Sequence, residues 1–457
     1  MKNVLLLNLL VPLEVSAYLK LSGIDNNYKL NTFSWLIANG TSNGMENELD
    51  KRDHRVIGKE MGLFVFSDIV GKGLPLYTDK GATIRRELER FIVDEEIKRG
   101  YKHVSTPDIA KIDLYKKSGH YPYYKDTMYA PIVIDDEEFM LRPMTCPHHY
   151  ELYLSKPHSY RELPMRIAEM AKLYRYEASG NLAGLIRVRS FCLADAHIIC
   201  ANITQAQDEV KKALELITFV AETFGLKKGT DFWYRLSLGD RKDTKKYFKD
   251  DKAWDEAEEA LRQVLKNQDV KYTEAENEAA FYGPKVDVQM KDVRGQENTA
   301  FTVQYDFIAP TRFELSFVDA DGKTKLCSSV IHRSSIGAIE RIMAFLIEHY
   351  NGAFPLWLSP TQVKVIPVRT NHNEYAEKVH KMLVESGIRS EIALEDENLG
   401  TKVRGAKNEK IPYWIVIGDK EVTASKVALE SRDKGQLGQL SEEELLSKLL
   451  SEIKSKS

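Results

Sequence analysis

Three residues in distant parts of this chain have the side chains of a metal site: Cys146 in Met144-Thr145-Cys146-Pro147, His197 in Ala194-Asp195-Ala196-His197, and His332 in Val330-Ile331-His332-Arg333. Separations of 51 and 135 residues exclude a short finger-type loop. They admit a catalytic zinc, which takes three protein ligands and keeps one position open. Taken alone, the three are better read as a buried thiol and two polar core histidines. A second group is basic: Arg175-Tyr176-Glu177, then Arg187 and Arg189, whose period-two spacing puts both on one face of an expected strand. Arginine's fork makes two parallel hydrogen bonds to phosphate, and Glu177 can orient such a fork or accept from an exocyclic amine. A charged hairpin on a wet surface has the same composition. In a third group, Gly337 precedes Arg341 by four residues. A glycine at a helix start admits a ligand close to the backbone, with the arginine on the same helical face. Phe281-Tyr282-Gly283-Pro284-Lys285 reads as a tight turn or as a lysine presented to a ligand.

These residues need a scaffold, and its elements follow from periodicity. Residues 80–99 carry apolar Ile84, Leu88, Phe91 and Ile92 at helical spacing, with Thr78 or Asp79 near the cap and Gly100 as the stop. Val104 to Pro107 reads as a short strand closed by proline. Residues 204–225, 253–266 and 334–348 read as helices, and 184–199 and 299–318 as antiparallel strands. From Asp53 to about Leu358 the texture is that of one α+β domain. From Thr361 strand and helix alternate: strands over 363–368, 391–394 and 413–418, helices over 374–386, from 402, and over 441–453. That is a small α/β domain, with 16 Lys+Arg against 16 Asp+Glu. Residues 1–52 form a short N-terminal segment to which the sequence assigns no role. The expected organisation is therefore 1–52, 53–358 and 359–457.

At 457 residues, about three domains fit the length. Hydrophobic residues at 43% and charged residues at 29% exclude a disordered or collagenous chain. A net charge of -3 gives no global positive field, so a nucleic-acid partner must be held by local patches. Four cysteines, Cys146, Cys192, Cys200 and Cys327, read as reduced thiols. The apolar start is interrupted by Asn8, Pro12 and Glu14 and reads as a strand and turn rather than a secretory leader. No apolar run reaches membrane-spanning length, and a cytoplasmic protein with no membrane partner is expected.

Together the segments resemble the threonyl-tRNA synthetase family. The resemblance is carried, in the family's order over about residues 53–457, by Asp53-His54-Arg55 with Gly58, Ser118-Gly119-His120, Tyr124-Lys125-Asp126, and Leu141 to His149. It continues through Arg175 to Arg189, Asp195-Ala196-His197, Phe281 to Lys285, Thr302-Val303-Gln304, and His332-Arg333 with Gly337 and Glu340-Arg341. The resemblance implies a class II antiparallel catalytic domain followed by an α/β anticodon-binding domain. It implies a cytoplasmic ligase that activates L-threonine with ATP and transfers it to tRNA(Thr), with one Zn²⁺ per chain and Mg²⁺ accompanying ATP. A homodimer through Glu95 to Pro107 is implied as well. The alternative is a non-aminoacylating RNA-binding or regulatory protein on a synthetase core.

The family's zinc ligands fall on Cys146, His197 and His332, where threonine's amino and hydroxyl groups complete the coordination. Asp195 falls on the acceptor for that hydroxyl, and Tyr282 and Gln304 line the amino-acid side. Arg175 falls on the arginine of the α-phosphate, Arg341 on that of the γ-phosphate, and Arg187 on a further phosphate contact. Glu177 falls near adenine and Phe191 on the ring that stacks on it. Lys285 falls on a lysine near the reacting groups, His120 on the histidine near the tRNA hydroxyl, and Glu421 on a base-contacting glutamate.

The chain departs from the bacterial pattern at Leu193, Thr299 and Ala338, where glutamine, glutamine and serine are usual, and Ala194 replaces an acidic residue. Those changes remove polar contacts near the reacting carboxylate. Asp396, Lys410 and Glu430 depart similarly in the C-terminal part. About 52 residues precede Asp53 and contain no His-x-x-x-His pair, so hydrolysis of mischarged seryl-tRNA is expected from a separate protein acting in trans.

Overall fold

In this computed structural model, residues 50–268 and 270–456 are described. All but the last three residues of the N-terminal segment expected over 1–52 therefore lie outside the described residues. From Asp50 onward the chain forms one unit built around two sheets.

The larger sheet takes its eight strands from β1 (Lys102–His103), β2 (Met165–Tyr174), β3 (Ser190–Cys200), β4 (Phe232–Ser237), β5 (Tyr272–Ala275), β6 (Lys285–Lys291), β7 (Glu297–Asp306) and β8 (Ser329–Ala338). Their spatial order is β5-β4-β6-β7-β8-β3-β2-β1. The six inner strands are antiparallel to one another, and the edge strands β5 and β1 pair in parallel with β4 and β2. This is the α+β class read from the sequence.

Period-two alternation divides the sheet into two chemistries. Ala194, Ala196 and Ile198 of β3, Ile331 of β8, and Phe301 and Val303 of β7 join the main hydrophobic core. The helix Ile203–Thr223 lies in that core and contributes Val210, Leu214, Ile217 and Val220. Their alternating neighbours Leu193, Asp195, His197, His332, Thr302 and Gln304 line a cavity instead. Three further helices matter to the site. α1 is His54–Glu60, capped by the Asp53 carboxylate. α2 is Asp79–Lys98, capped by Thr78 as expected. α3 is Cys146–Leu154.

Four expectations are corrected. The helix expected over 334–348 begins only at Ile339 and runs to His349 as α4, because β8 continues to Ala338. Gly337, at φ +72°, sits in a register shift of β8, where an added Cβ would lie 2.2 Å from the Ala300 carbonyl oxygen. It therefore serves strand packing, not a helix start. The strand expected over 104–107 is β1 at 102–103, since the Thr106 N–H and hydroxyl donate to the Glu169 side chain rather than to a neighbouring strand. Residues 184–189 turn before β3 begins: Gly184 has φ +51°, and the Ile186 and Arg187 amides both donate to the Ala183 carbonyl. Arg187 and Arg189 thus share no strand face. In the stretch 299–318, β7 stops at Asp306, whose carboxylate accepts from the Ile308 and Ala309 amides and starts the helix Ala309–Phe313.

The smaller sheet is β9 (Val363–Pro367), β10 (Ser390–Ile392), β11 (Tyr413–Ile417), β12 (Val427–Ser431) and β13 (Gly435–Leu440), in the order β10-β9-β11-β12-β13. β9 is parallel to both its neighbours, as the strand–helix alternation implies, and β12 and β13 add an antiparallel edge. Ion pairs join this part to α2: Lys80 with Glu409 at 2.8 Å and Arg389 with Glu87 at 3.3 Å. The Arg389 guanidinium also donates to the Trp357 carbonyl at 2.7 Å. No helix among the described residues is long and apolar enough to cross a membrane.

Candidate functional site

A cavity of about 240 Å³ opens on the polar face of the larger sheet. Its lining includes twelve residues singled out in the sequence: His120, Cys146, Arg175, Glu177, Arg187, Phe191, Asp195, His197, Tyr282, Gln304, His332 and Arg341. Strand spacing explains how. Phe191, Leu193, Asp195 and His197 are alternate residues of β3, His332 lies directly opposite His197 on β8, and Gln304 lies opposite His332 on β7.

At one end Cys146, His197 and His332 each offer a ligand atom within 4.8 Å of the other two, all three buried. Two imidazoles and one thiolate at such separations suit tetrahedral zinc with an open fourth position. Burial, with Asp195 and Asp306 nearby, pushes the Cys146 thiol well above its ordinary value. Burial and the neighbouring imidazoles hold His197 neutral. A neutral imidazole is ready to ligate, while the thiol needs a cation to give up its proton.

Each of the two histidines also has a ring nitrogen engaged by neighbouring side chains. His332 Nε2 lies 2.9 Å from Asp306 Oδ2 and 3.2 Å from the Tyr150 hydroxyl. His197 Nδ1 lies 2.8 Å from His149 Nδ1, and His149 Nε2 lies 3.2 Å from Glu169 Oε2. Burial raises the Glu169 carboxyl, but donors from His149 and Thr106 and the charge of Arg142 prevail and hold it down to about 2. Tyr282 stacks on the His332 ring at 4.9 Å and donates its hydroxyl proton to Gln304. Asp195 Oδ2 is 4.0 Å from His197 Nε2, its carboxyl raised by burial. His120 Nε2 is 4.0 Å from Cys146 Sγ, and its Nδ1 is 2.8 Å from the Ser118 hydroxyl. Burial and the charges of His332, Arg312 and Arg175 lower His120 to about 3.

The opposite end is cationic. The Arg175 guanidinium lies 5.1 Å over the Phe191 ring, and its Nε donates to the Pro143 carbonyl at 3.3 Å. Arg341 donates to the carbonyls of Ile186 (3.0 Å) and Thr299 (2.6 Å). Burial, then repulsion from Arg175 and Arg187, lowers Arg341 to about 10. Glu177 and Glu340 line this end as well, Glu340 with its carboxylate accepting from Arg85 and the Cys192 amide. Between the two ends lie Leu193 and Ala338, directly opposite each other on neighbouring strands. Three arginines, the Glu177 carboxylate beside them and an aromatic face fit a nucleoside polyphosphate.

Two expected residues lie elsewhere. Lys285 points to a separate polar cluster: its ammonium pairs with Asp287, which also accepts from Ser237 (2.8 Å) and Arg235 (3.2 Å). Glu421 accepts from the Gly418 amide at 3.0 Å and from Gln439 Nε2 at 2.7 Å, so both its oxygens are engaged within the C-terminal part. Arg189 donates to the Glu177 and Lys72 carbonyls and lies over the Tyr176 ring.

Sequence reasoning missed His149, Glu169, Asp306 and Tyr150. The signals were available: His149 and Tyr150 follow Cys146 at helical spacing, and Glu169 interrupts a strand flanked by apolar residues. It also missed a strut of Asp53, His54 and Glu348. These three cluster like metal ligands, but their atoms are already engaged. His54 Nε2 accepts from the Leu185 amide at 3.1 Å, and His54 Nδ1 lies 2.6 Å from Glu348 Oε1. Glu348 also accepts from the Val293 amide, and Asp53 from Arg55.

Two family models match this chain: a tRNA synthetase class II core domain (G, H, P, S and T) over residues 129–350, and an anticodon binding domain over 362–452. A threonine–tRNA ligase of Geobacillus sp. (strain WCH70) is 47% identical over 408 residues, covering 89% of this chain and 63% of the relative. One from Listeria monocytogenes serovar 1/2a is 49% identical over 384 residues, covering 84% and 59%. The chain thus spans about three-fifths of the length of the curated relatives it matches. Among solved structures, the RNA binding domain of threonyl-tRNA synthetase from Cryptosporidium parvum Iowa II superposes with a TM-score of 0.82 at 34% identity, covering 88% of this chain and 98% of that one. A putative threonyl-tRNA synthetase from Aeropyrum pernix superposes at 0.77 with 30% identity, covering 89% and 97%.

Proposed function

This chain belongs to the threonyl-tRNA synthetase family, and from that premise we propose that it is an ATP-dependent threonine–tRNA ligase. The observation that carries the reading is the meeting of Cys146, His197 and His332 with Arg175, Arg187 and Arg341 in one cavity. Residues 53–358 form the catalytic domain and 359–457 the domain that binds the anticodon arm of tRNA(Thr).

Cys146, His197 and His332 hold one Zn²⁺, which supplies a Lewis-acid centre for an amino group and a neighbouring hydroxyl. Asp195 accepts from that hydroxyl, and Tyr282 and Gln304 close the amino-acid side. Valine, lacking the hydroxyl, leaves polar partners unsatisfied and is rejected strongly. Serine differs by one methyl, worth about 1 to 3 kcal/mol. It therefore leaks through, and a separate hydrolytic protein closes the gap. Phe191 stacks on adenine and Glu177 accepts from its amine, while Arg175, Arg187 and Arg341 bind the triphosphate of Mg²⁺-ATP. The threonine carboxylate attacks the α-phosphorus in line and pyrophosphate leaves. Arg175, beside the reacting phosphorus, neutralises the charge that develops there. His120, neutral and buried, then takes the proton of the tRNA ribose hydroxyl as it attacks the adenylate carbonyl and AMP departs. The enzyme works as a cytoplasmic homodimer joined through 95–107. Lys285 serves near the reacting groups only after leaving Asp287, and Glu421 reaches a base only after leaving its cap.

Amino-acid-dependent ATP–pyrophosphate exchange tests this, run with threonine, serine, valine and alanine. Threonine should exceed serine by about 10²-fold or more, with valine lower still. No exchange with any of them would favour the non-aminoacylating alternative, to which the apolar Leu193–Ala338 pair between the two ends of the cavity lends its weight.

A further inference from the structure

A histidine ligates a metal through a ring nitrogen that carries no proton, and the groups behind His197 dictate which nitrogen that is. Glu169 accepts from the Thr106 amide (3.1 Å), the Thr106 hydroxyl (2.7 Å) and Arg142 Nη1 (3.1 Å). An ionised carboxylate only accepts. His149 Nε2, 3.2 Å from Glu169 Oε2, must therefore carry the His149 proton. Full burial favours a single proton on the His149 ring; with that proton on Nε2, His149 Nδ1 keeps a lone pair 2.8 Å from His197 Nδ1, and His197 donates there. His197 Nε2 is then unprotonated, and it is the nitrogen on the side of Asp195 and the cavity. His149 is fully buried and His197 is 1% exposed, so bulk water cannot replace any link.

We propose that His149 and Glu169 are positioning residues that fix His197 in its metal-binding tautomer, so that zinc affinity depends on two side chains that never touch the metal. The proposal rests on the zinc reading given above. It is separate from the support of His332, which comes from Asp306 and Tyr150.

Three variants of the full chain test it, each stripped of metal and titrated with zinc against a chromophoric chelator, with folding followed by circular dichroism. In His149→Leu nothing accepts from His197 Nδ1, and zinc affinity should fall by about 10- to 100-fold. In His149→Asn the amide oxygen stands near the old Nδ1 position and should recover most of that loss. Glu169→Gln is the sharper probe. Two donors, the Thr106 amide and Arg142, keep its oxygen on their side, so its NH₂ faces His149. That inverts the relay and puts a proton on His197 Nε2, again costing about 10- to 100-fold. A folded His149→Leu that binds zinc like wild type overturns the proposal, as does His149→Asn no better than Leu. If His149→Leu does not fold, wild-type affinity in Glu169→Gln overturns it alone. Wild-type protein that takes up no zinc brings down the zinc reading itself, a result distinguishable from the others.

Discussion

The two ends of the cavity are built on opposite plans. Both histidines of the metal corner have a fixed partner behind them: His149 and Glu169 behind His197, Asp306 and Tyr150 behind His332. The arginine end has few such partners. Arg175 and Arg341 donate to neutral carbonyls, and both guanidinium groups are held below their ordinary values, Arg341 in part by the other arginines. One end has its side chains held by partners; the other stores repulsion of the kind a polyanion would relieve. Selectivity for a small amino acid demands pre-set geometry, whereas phosphate binding demands uncompensated charge.

The largest break should come at the metal corner. Cys146→Ala should bring zinc content near zero and lower threonine-dependent exchange by about 10³-fold or more, while ATP still binds at the arginine end. Metal analysis beside ATP titration checks both halves. Chelation of the wild type should reproduce the loss, and re-added zinc should restore it. Loss of ATP affinity in the same variant would show that the two ends are not independent.

At the charged end, the two best-placed arginines should differ. Arg175→Ala should cost about 10² to 10³ in adenylate formation at saturating ATP, or about 3 to 4 kcal/mol of transition-state energy. Arg341→Ala should mainly raise KM for ATP, because its side chain also braces Ile186 and Thr299. Pre-steady-state rates against ATP concentration separate the cases. Equal and mild defects would mean the cluster is not a phosphate clamp.

His120 lies beside Cys146, and the proposed mechanism gives it to the second reaction. His120→Ala should leave exchange near wild type and slow transfer from preformed adenylate by about 10²-fold. Its Nε2 is 4.0 Å from Cys146 Sγ, so zinc content must be measured alongside. A variant that keeps its zinc but fails only in adenylate formation would place His120 at the amino-acid end instead.

How much of this was legible in the sequence follows the range of the interactions. Helices over 79–98 and 203–223 carry their own periodicity and caps and were read almost to the residue. The strand–helix alternation after 361 was read for the same reason, whereas the antiparallel edge of β12 and β13 was not. Errors cluster where a distant partner decides the backbone. β8 extends through Gly337 because the Ala300 carbonyl lies against it, and residues 184–189 turn because Gly184 packs on His54. Cys146, His197, His332 and the arginines stood out through their motifs, while His149, Glu169 and Asp306 act on residues far away in the chain, so the helical spacing of His149 and the charged break at Glu169 did not say what they support. Lys285 shows the converse: its motif is present, but Asp287, two residues on, holds its ammonium.

The smallest expected effect tests whether the charged end is as loosely held as it looks. The turn carrying Arg187 is held through two contacts: the Leu185 amide donates to His54 Nε2, and the Ile186 carbonyl accepts from Arg341. Because Leu185 donates to Nε2, the His54 proton sits on Nδ1 and is donated to Glu348, at the far end of the helix that begins next to Arg341. Asparagine and glutamine divide these roles. In His54→Asn the amide sits near Nδ1 and can still donate to Glu348, but nothing accepts from Leu185. In His54→Gln an oxygen can reach the Nε2 position and keep the turn. One lost hydrogen bond of about 1 kcal/mol should raise KM for ATP by about 5- to 10-fold in His54→Asn. Zinc content and KM for threonine should not move, and His54→Gln should stay near wild type. If both variants instead lose stability equally and shift both KM values together, the strut is a fold element alone. The arginine end would then owe its geometry to Arg341 and to the nucleotide it binds.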